Sequence, residues 1–137
     1  MVRITRAIDF SASLRYWRPE LSATENRTLF GPATNPHGHN YRLEVTLAGV
    51  PDPVSGMLLD LKELTGLLER EVVARFDHRD LVADTPYFGK EVPTPENFAT
   101  LLYRLLEGAL PRGMLSGVRL YQDPDLFVDV TAPGAGG

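Results

Sequence analysis

The chain has 137 residues, 43% of them hydrophobic and 23% charged, which is the size and mix of one globular domain and excludes disorder along the whole chain. It contains no cysteine, so disulfides, thiolate metal sites and cysteine nucleophiles are excluded. Fourteen Lys plus Arg against eighteen Asp plus Glu leave a net charge of −4, which offers no global basic field to nucleic acid or an anionic membrane.

The N-terminal segment places Val2, Ile4, Ile8, Phe10 and Ala12 at even positions and Arg3, Thr5, Asp9, Ser11 and Ser13 between them. Period two predicts a strand with one buried face. This segment lacks the continuous apolar stretch of a signal peptide, and no run approaches the roughly 18 apolar residues of a membrane span. A soluble, cytoplasmic domain is therefore expected. Residues 14–36 show no clean period and hold Pro19, Gly31, Pro32 and Pro36. They predict a long loop with at most a short helical turn around Ser22 to Thr28. Tyr41, Leu43, Val45 and Leu47 alternate with Arg42, Glu44 and Thr46, a second strand that His37 and His39 lead into. Pro51 to Gly56 turns the chain.

Asp60 reads as an N-cap, with Glu63 three residues on. Leu61, Leu64, Leu67, Leu68 and Val72 follow as a helical stripe. Residues 76–93 form a second long connection. Thr94 then caps a second helix, Pro95 suits its first position, and Glu96 favours its positive end. The stripe Phe98, Leu101, Leu102, Leu105, Leu106 and Ala109 runs until Pro111 and Gly113 stop it. Val118, Leu120 and Gln122 share one face of a third strand, and Asp123-Pro124-Asp125 turns into a fourth over Leu126 to Val130. The order strand, strand, helix, helix, strand, strand predicts one α+β domain over residues 1–131. It would hold a four-stranded antiparallel sheet with two helices on one face, followed by a flexible Pro/Gly/Ala tail over 132–137.

Four groups of residues can carry chemistry. His37 and His39, two apart on extended chain, point their imidazoles to the same side. Catalytic zinc usually takes three protein ligands, so two are in register and the third must come from elsewhere. Asp77 and His78 could form a carboxylate–imidazole pair. Adjacent side chains rarely face each other, however, which leaves each open to another partner. Thr94 and Glu96 open a helix, where a carboxylate can face a ligand. Gln122 interrupts an apolar strand face and needs a hydrogen-bond partner if buried.

In chain order, Phe10-Ser11-Ala12-Ser13, Asn26 to Gly31, His37-Gly38-His39-Asn40-Tyr41, Gly56-Met57 with Asp60, Asp77-His78, Pro86-Tyr87-Phe88 and Thr94-Pro95-Glu96-Asn97 resemble one family. It is the 6-pyruvoyltetrahydropterin synthase / 6-carboxytetrahydropterin synthase family, and the resemblance spans about residues 2–130. It implies the tunnelling fold, in which sheets of several subunits close an oligomeric barrel as a trimer or hexamer with sites between subunits. It implies a pterin substrate, 7,8-dihydroneopterin triphosphate, and a lyase-type loss of triphosphate. In that family three histidines hold zinc, a cysteine moves a proton with an Asp–His pair, and a strand glutamate anchors the pterin.

By that resemblance His37 and His39 match two zinc ligands, Asp77 and His78 the catalytic pair, and Thr94 and Glu96 substrate-side residues. Three positions depart. Leu14 stands where the first zinc histidine is expected, Ala33 is the counterpart of the cysteine, and Gln122 replaces the glutamate. Losing one imidazole weakens zinc by several kcal/mol unless Glu25, Asn26 or His78 substitutes. Losing the thiol sacrifices about 10²–10⁴ in rate. Losing the charge-assisted pterin contact costs on the order of 1–3 kcal/mol. Intact scaffold signals beside three site changes point to a member with altered chemistry. The alternatives are a non-catalytic pterin- or purine-like-ligand-binding homologue or partner subunit, and a conventional synthase with substitute residues.

Overall fold

The computed structural model describes residues 1–134. Alternation at the N-terminus produces strand β1, Val2–Leu14, whose even residues Phe10, Ala12 and Leu14 are buried. Strand β2, His37–Gly49, pairs antiparallel with it along its whole length, from Val2 opposite Gly49 to Leu14 opposite His37. The two histidines thus belong to the strand itself rather than to a lead-in, because β1 is long enough to pair with them. Strand β4, Leu115–Asp123, pairs with the other side of β2, and β5, Leu126–Thr131, pairs with β4. Asp123 holds the hairpin turn through its carboxylate, which accepts from the Asp125 amide at 2.8 Å.

The sheet has five strands and is mixed, where four antiparallel strands were expected. The extra strand is β3, Arg79–Asp80, two residues that pair parallel with Ala12 and Ser13 at the free edge of β1. The final order is β3-β1-β2-β4-β5. Two residues carry no readable period, so no sequence pattern announces β3.

The long loop after β1 also contains more structure than expected. Helix α1, Ala23–Phe30, starts at Ser22, whose side chain accepts from the Glu25 amide while Glu25 returns to the Ser22 amide. This reciprocal capping box stabilises a helix whose apolar stripe is too weak to be read. Inside it Asn26 is fully buried. Its oxygen accepts from the Arg18 amide, and its amide nitrogen donates to the carbonyls of Arg18, Leu21 and Ser22. A 3-10 turn, Gly31–Thr34, follows.

Helix α2, Leu61–Leu68, is capped by Asp60, whose carboxylate accepts from the Lys62 amide at 2.8 Å. Asp60→Ala is expected to destabilise the protein by about 1 kcal/mol with no effect on any ligand, a change that urea titration would resolve. The buried residues Leu64, Leu68, Val72 and Phe76 recur every four positions and drift from a 3.6-residue turn. A π-type turn, Glu69–Val73, widens the helix there and returns Val72 and Phe76 to the buried face before α3, Ala74–Phe76. Helix α4, Pro95–Ala109, begins as the sequence predicts, with the Thr94 hydroxyl accepting from the Asn97 amide.

One face of the sheet carries the helices, with α3 against β1 and α4 across β4 and β5. Phe98 of α4 is the hub of the core between them. It meets the rings of Phe10, Tyr41, Phe76 and Phe88 edge-on at centroid distances of 5.1–5.9 Å. The opposite face is polar. The hydroxyls of Thr5 and Thr46 meet at 2.8 Å, and Arg119 makes a two-pronged contact to Asp129 at 2.8 and 3.0 Å. Of the expected tail, Ala132 is tied down, its amide donating to the Ser116 carbonyl at 2.9 Å. Residues 135–137 lie outside the described residues. No helix among the described residues is long and apolar enough to cross a membrane.

Candidate functional site

The two histidines stand at one end of the sheet, where β2 begins opposite the end of β1. His37 and His39 project from β2 on the side of Tyr41, and their ring centroids lie 5.2 Å apart. Two imidazoles on one tetrahedral ion, with Zn–N of about 2.0–2.1 Å, place their centroids at about that separation. His37 Nδ1 lies 2.8 Å from the Asn35 carbonyl oxygen. A carbonyl can only accept, so Nδ1 donates to it and Nε2 is the nitrogen left to face a metal. Burial, and then the neighbouring His37, depress the pKa of His39, which favours its neutral, ligating form.

The third position is missing. Leu14 is the strand partner of His37, on the same face, and is fully buried. Among the described residues no group of three His, Cys, Asp or Glu could hold a metal. The three candidate substitutes are engaged elsewhere: Glu25 in its capping box, Asn26 in the loop it organises, and His78 with Asp77. The donor set therefore supplies two zinc ligands and does not fit the three-ligand site that the resemblance implies.

Ala33 lies in the 3-10 turn, and its carbonyl accepts from the Tyr16 amide at 2.8 Å. The Tyr16 ring stands edge-on to His37 at 6.1 Å. Ala33 is thus tied to the residue that packs against His37, but a methyl group offers no proton. Tyr16 has its pKa raised by burial and then by the charge of Glu96. Glu96, in the first turn of α4, is exposed. Thr94 spends its oxygen on the helix cap and keeps its own O–H for donation. Gln122 follows Val118 and Leu120 on the buried face of β4, just past the last pair with β2, Arg42 opposite Tyr121. Its Oε1 is buried with no hydrogen-bond partner. An acceptor left so costs about 1–3 kcal/mol, which a ligand donor would relieve.

Asp77 and His78 do pair, contrary to the expectation that neighbours turn apart. His78 Nδ1 lies 3.0 Å from Asp77 Oδ1. The reason is backbone: His78 sits at φ +59°, a left-handed conformation uncommon outside glycine, which folds its ring back over the preceding residue. Its amide donates to the Ser11 carbonyl at 2.6 Å, and the Ser11 amide donates to Asp77 Oδ1 at 2.9 Å. These contacts hold the pair to the edge of β1. The Ser11 amide, and then His78, depress the Asp77 pKa. Asp77 therefore stabilises the fold above the ordinary carboxylate range, and that contribution is lost as pH falls through its depressed value. The imidazole is 82% exposed. It borders an open groove of about 420 Å³ that also includes Ser11, His39, Asn40 and Asp80. No hydrogen bond or ion pair among the described residues joins the Asp77–His78 pair to His37 or His39.

The sequence assigns no role to Ser11, Asn40 or Asp80, although Ser11 and Asn40 lie in motifs of the resemblance. Ser11 donates its hydroxyl to Asn40 at 2.6 Å, and Asp80 accepts from Ser13 at 2.9 Å. Alternation marks such residues as facing away from the core, and only strand pairing shows that they converge.

The profile of the 6-pyruvoyl tetrahydropterin synthase family matches residues 3–133. Over 128 residues the chain is 42% identical to the 6-pyruvoyl tetrahydrobiopterin synthase of Pongo abelii, covering 92% of this chain and 88% of that protein. It is 28% identical over 148 residues to the 6-carboxy-5,6,7,8-tetrahydropterin synthase of Rickettsia typhi, covering 95% and 100%. The solved structure of Caenorhabditis elegans 6-pyruvoyl tetrahydropterin synthase aligns at a TM-score of 0.89 and 34% identity, over 96% of this chain and 95% of that one. Sheet order, helix placement and these likenesses define a tunnelling-fold protein. The chain belongs to the 6-pyruvoyl tetrahydropterin synthase family.

Proposed function

We propose that this protein binds a pterin such as 7,8-dihydroneopterin triphosphate through His37, His39, Thr94, Glu96 and Gln122, and acts on it by chemistry altered from the family's. The carrying observation is Leu14, buried opposite His37 where a third imidazole would have to stand. With Ala33 in the thiol's place, Asp77–His78 is the remaining proton-moving group. Asp77 stays ionised and holds the hydrogen on Nδ1 of His78. That leaves Nε2 of an exposed imidazole to take or give a proton. Bound zinc would polarise side-chain oxygens of the substrate, but the chain's own donor set for it is incomplete.

The working unit in this reading is a homo-oligomer. The exposed Asp77–His78 pair, which shares no hydrogen bond or ion pair with His37 or His39 among the described residues, suits a site completed by a neighbouring copy. Purified protein incubated with 7,8-dihydroneopterin triphosphate, with and without zinc, tests the proposal through triphosphate release and pterin products. Release changed less than twofold by zinc, and lowered tenfold or more by His78→Ala, is the expected result. Strongly zinc-dependent release would overturn it. Pterin binding without any release would favour the non-catalytic reading, which the concurrent changes at positions 14, 33 and 122 support.

A further inference from the structure

Strand β4 delivers one polar side chain to its buried face. Val118 and Leu120 sit opposite Val45 and Leu43, and Gln122 comes next on that face. The register with β5 slips between Tyr121 and Asp123, so Gln122 stands at a bulge and has no strand partner on that side. Bulges re-aim side chains and recur beside sites. Its Oε1 is buried and unpartnered, although the residue as a whole is only half-buried. We infer that Gln122 reads the 2,3 edge of a pteridine and selects a ring N–H beside a 2-oxo group there, so that this site accepts 2-oxo pteridines at least as well as 2-amino ones. The inference rests on the pteridine-binding reading above.

The chemistry follows from what an amide can offer. Oε1 accepts one N–H, and the adjacent Nε2 donates to one carbonyl. At its 2,3 edge a 2-amino pteridine shows two donors, N–H and NH₂. One finds Oε1 and the other meets the amide's own N–H, which repels it. A 2-oxo pteridine shows N–H and C=O at the same edge and satisfies both ends. Turning the amide about its soft terminal torsion only reverses the order and never creates a second acceptor. A carboxylate has two acceptors and the opposite preference, because it leaves no donor for the carbonyl. Unpaired polar groups of this kind dominate discrimination between analogues of similar shape.

Calorimetric titration with pterin and with lumazine, its 2-oxo counterpart, tests this on wild type, Gln122→Glu and Gln122→Met. Wild type is expected to bind lumazine at least as tightly as pterin. Gln122→Glu is expected to shift the ratio of dissociation constants tenfold or more toward pterin, and Gln122→Met to weaken both. A ratio that Gln122→Glu moves less than threefold overturns the inference while leaving ring binding intact. Binding of neither ring by wild type overturns the pteridine reading and this inference with it. If circular dichroism shows Gln122→Glu unfolded, wild type and Gln122→Met decide. A tenfold preference for pterin shared by both refutes a role for the amide.

Discussion

Leu14→His is expected to turn a two-histidine surface into a stoichiometric zinc site. Leu14 is the direct strand partner of His37 on the same face, so an imidazole there enters beside two already spaced for one ion. His37 is oriented by the Asn35 carbonyl, and desolvation holds His39 toward its neutral form. Completing a three-imidazole set is worth several kcal/mol, so zinc affinity should rise by about 10³ or more. Without metal the variant should lose about 2–5 kcal/mol, because a fully buried leucine is replaced by a polar ring. Zinc should restore that loss by binding only the folded state. Metal analysis after dialysis, with melting temperatures measured with and without zinc, reads both effects. A folded variant that retains no zinc would show that the strand pairing does not bring position 14 to the histidines.

Phe98→Ala is expected to cost about 3–5 kcal/mol, a large share of the stability of a domain this size. Phe98 has no exposed surface and contacts four aromatic rings contributed by β1, β2, α3 and the loop before α4. Truncation removes the element common to those packings and leaves a cavity that four separately anchored groups cannot jointly close. Because Tyr41 loses its edge contact and adjoins His39 at 5.7 Å, ligand binding should weaken together with stability. Chemical denaturation gives the first number and pterin titration the second. A loss below 1 kcal/mol would mean that the helices can resettle on the sheet.

Residues with strong local signals were legible at once. Asp60 and Thr94 cap the helices they were expected to cap, and Asp123 closes its hairpin. The histidine pair was legible because two residues of extended chain face one way. Helix α1 is legible only as a short turn around Ser22 to Thr28, although its capping box Ser22–Glu25 is written in the sequence, because the segment lacks an apolar stripe and sits among prolines and glycines. Residue type offers Asp77–His78 as a pair but does not decide the contact, which depends on a positive φ at His78. Strand β3 and the convergence of Ser11, Asn40 and Asp80 lie beyond any periodicity, since they arise from pairing between segments 29 and 67 residues apart.

By itself the sequence determined the family, the main strands, the two long helices and which chemical groups exist: two imidazoles in step, one Asp–His neighbour pair, no thiol and an amide on β4. Those are properties of residue type and short spacing. Only the tertiary structure decided what the groups can reach. It set Leu14 opposite His37, folded His78 back onto Asp77 and left the Gln122 oxygen buried without a donor. Each of these depends on which strand lies beside which and in what register. Long-range pairing of backbone donors and acceptors selects that register, and no local stretch of chain contains it.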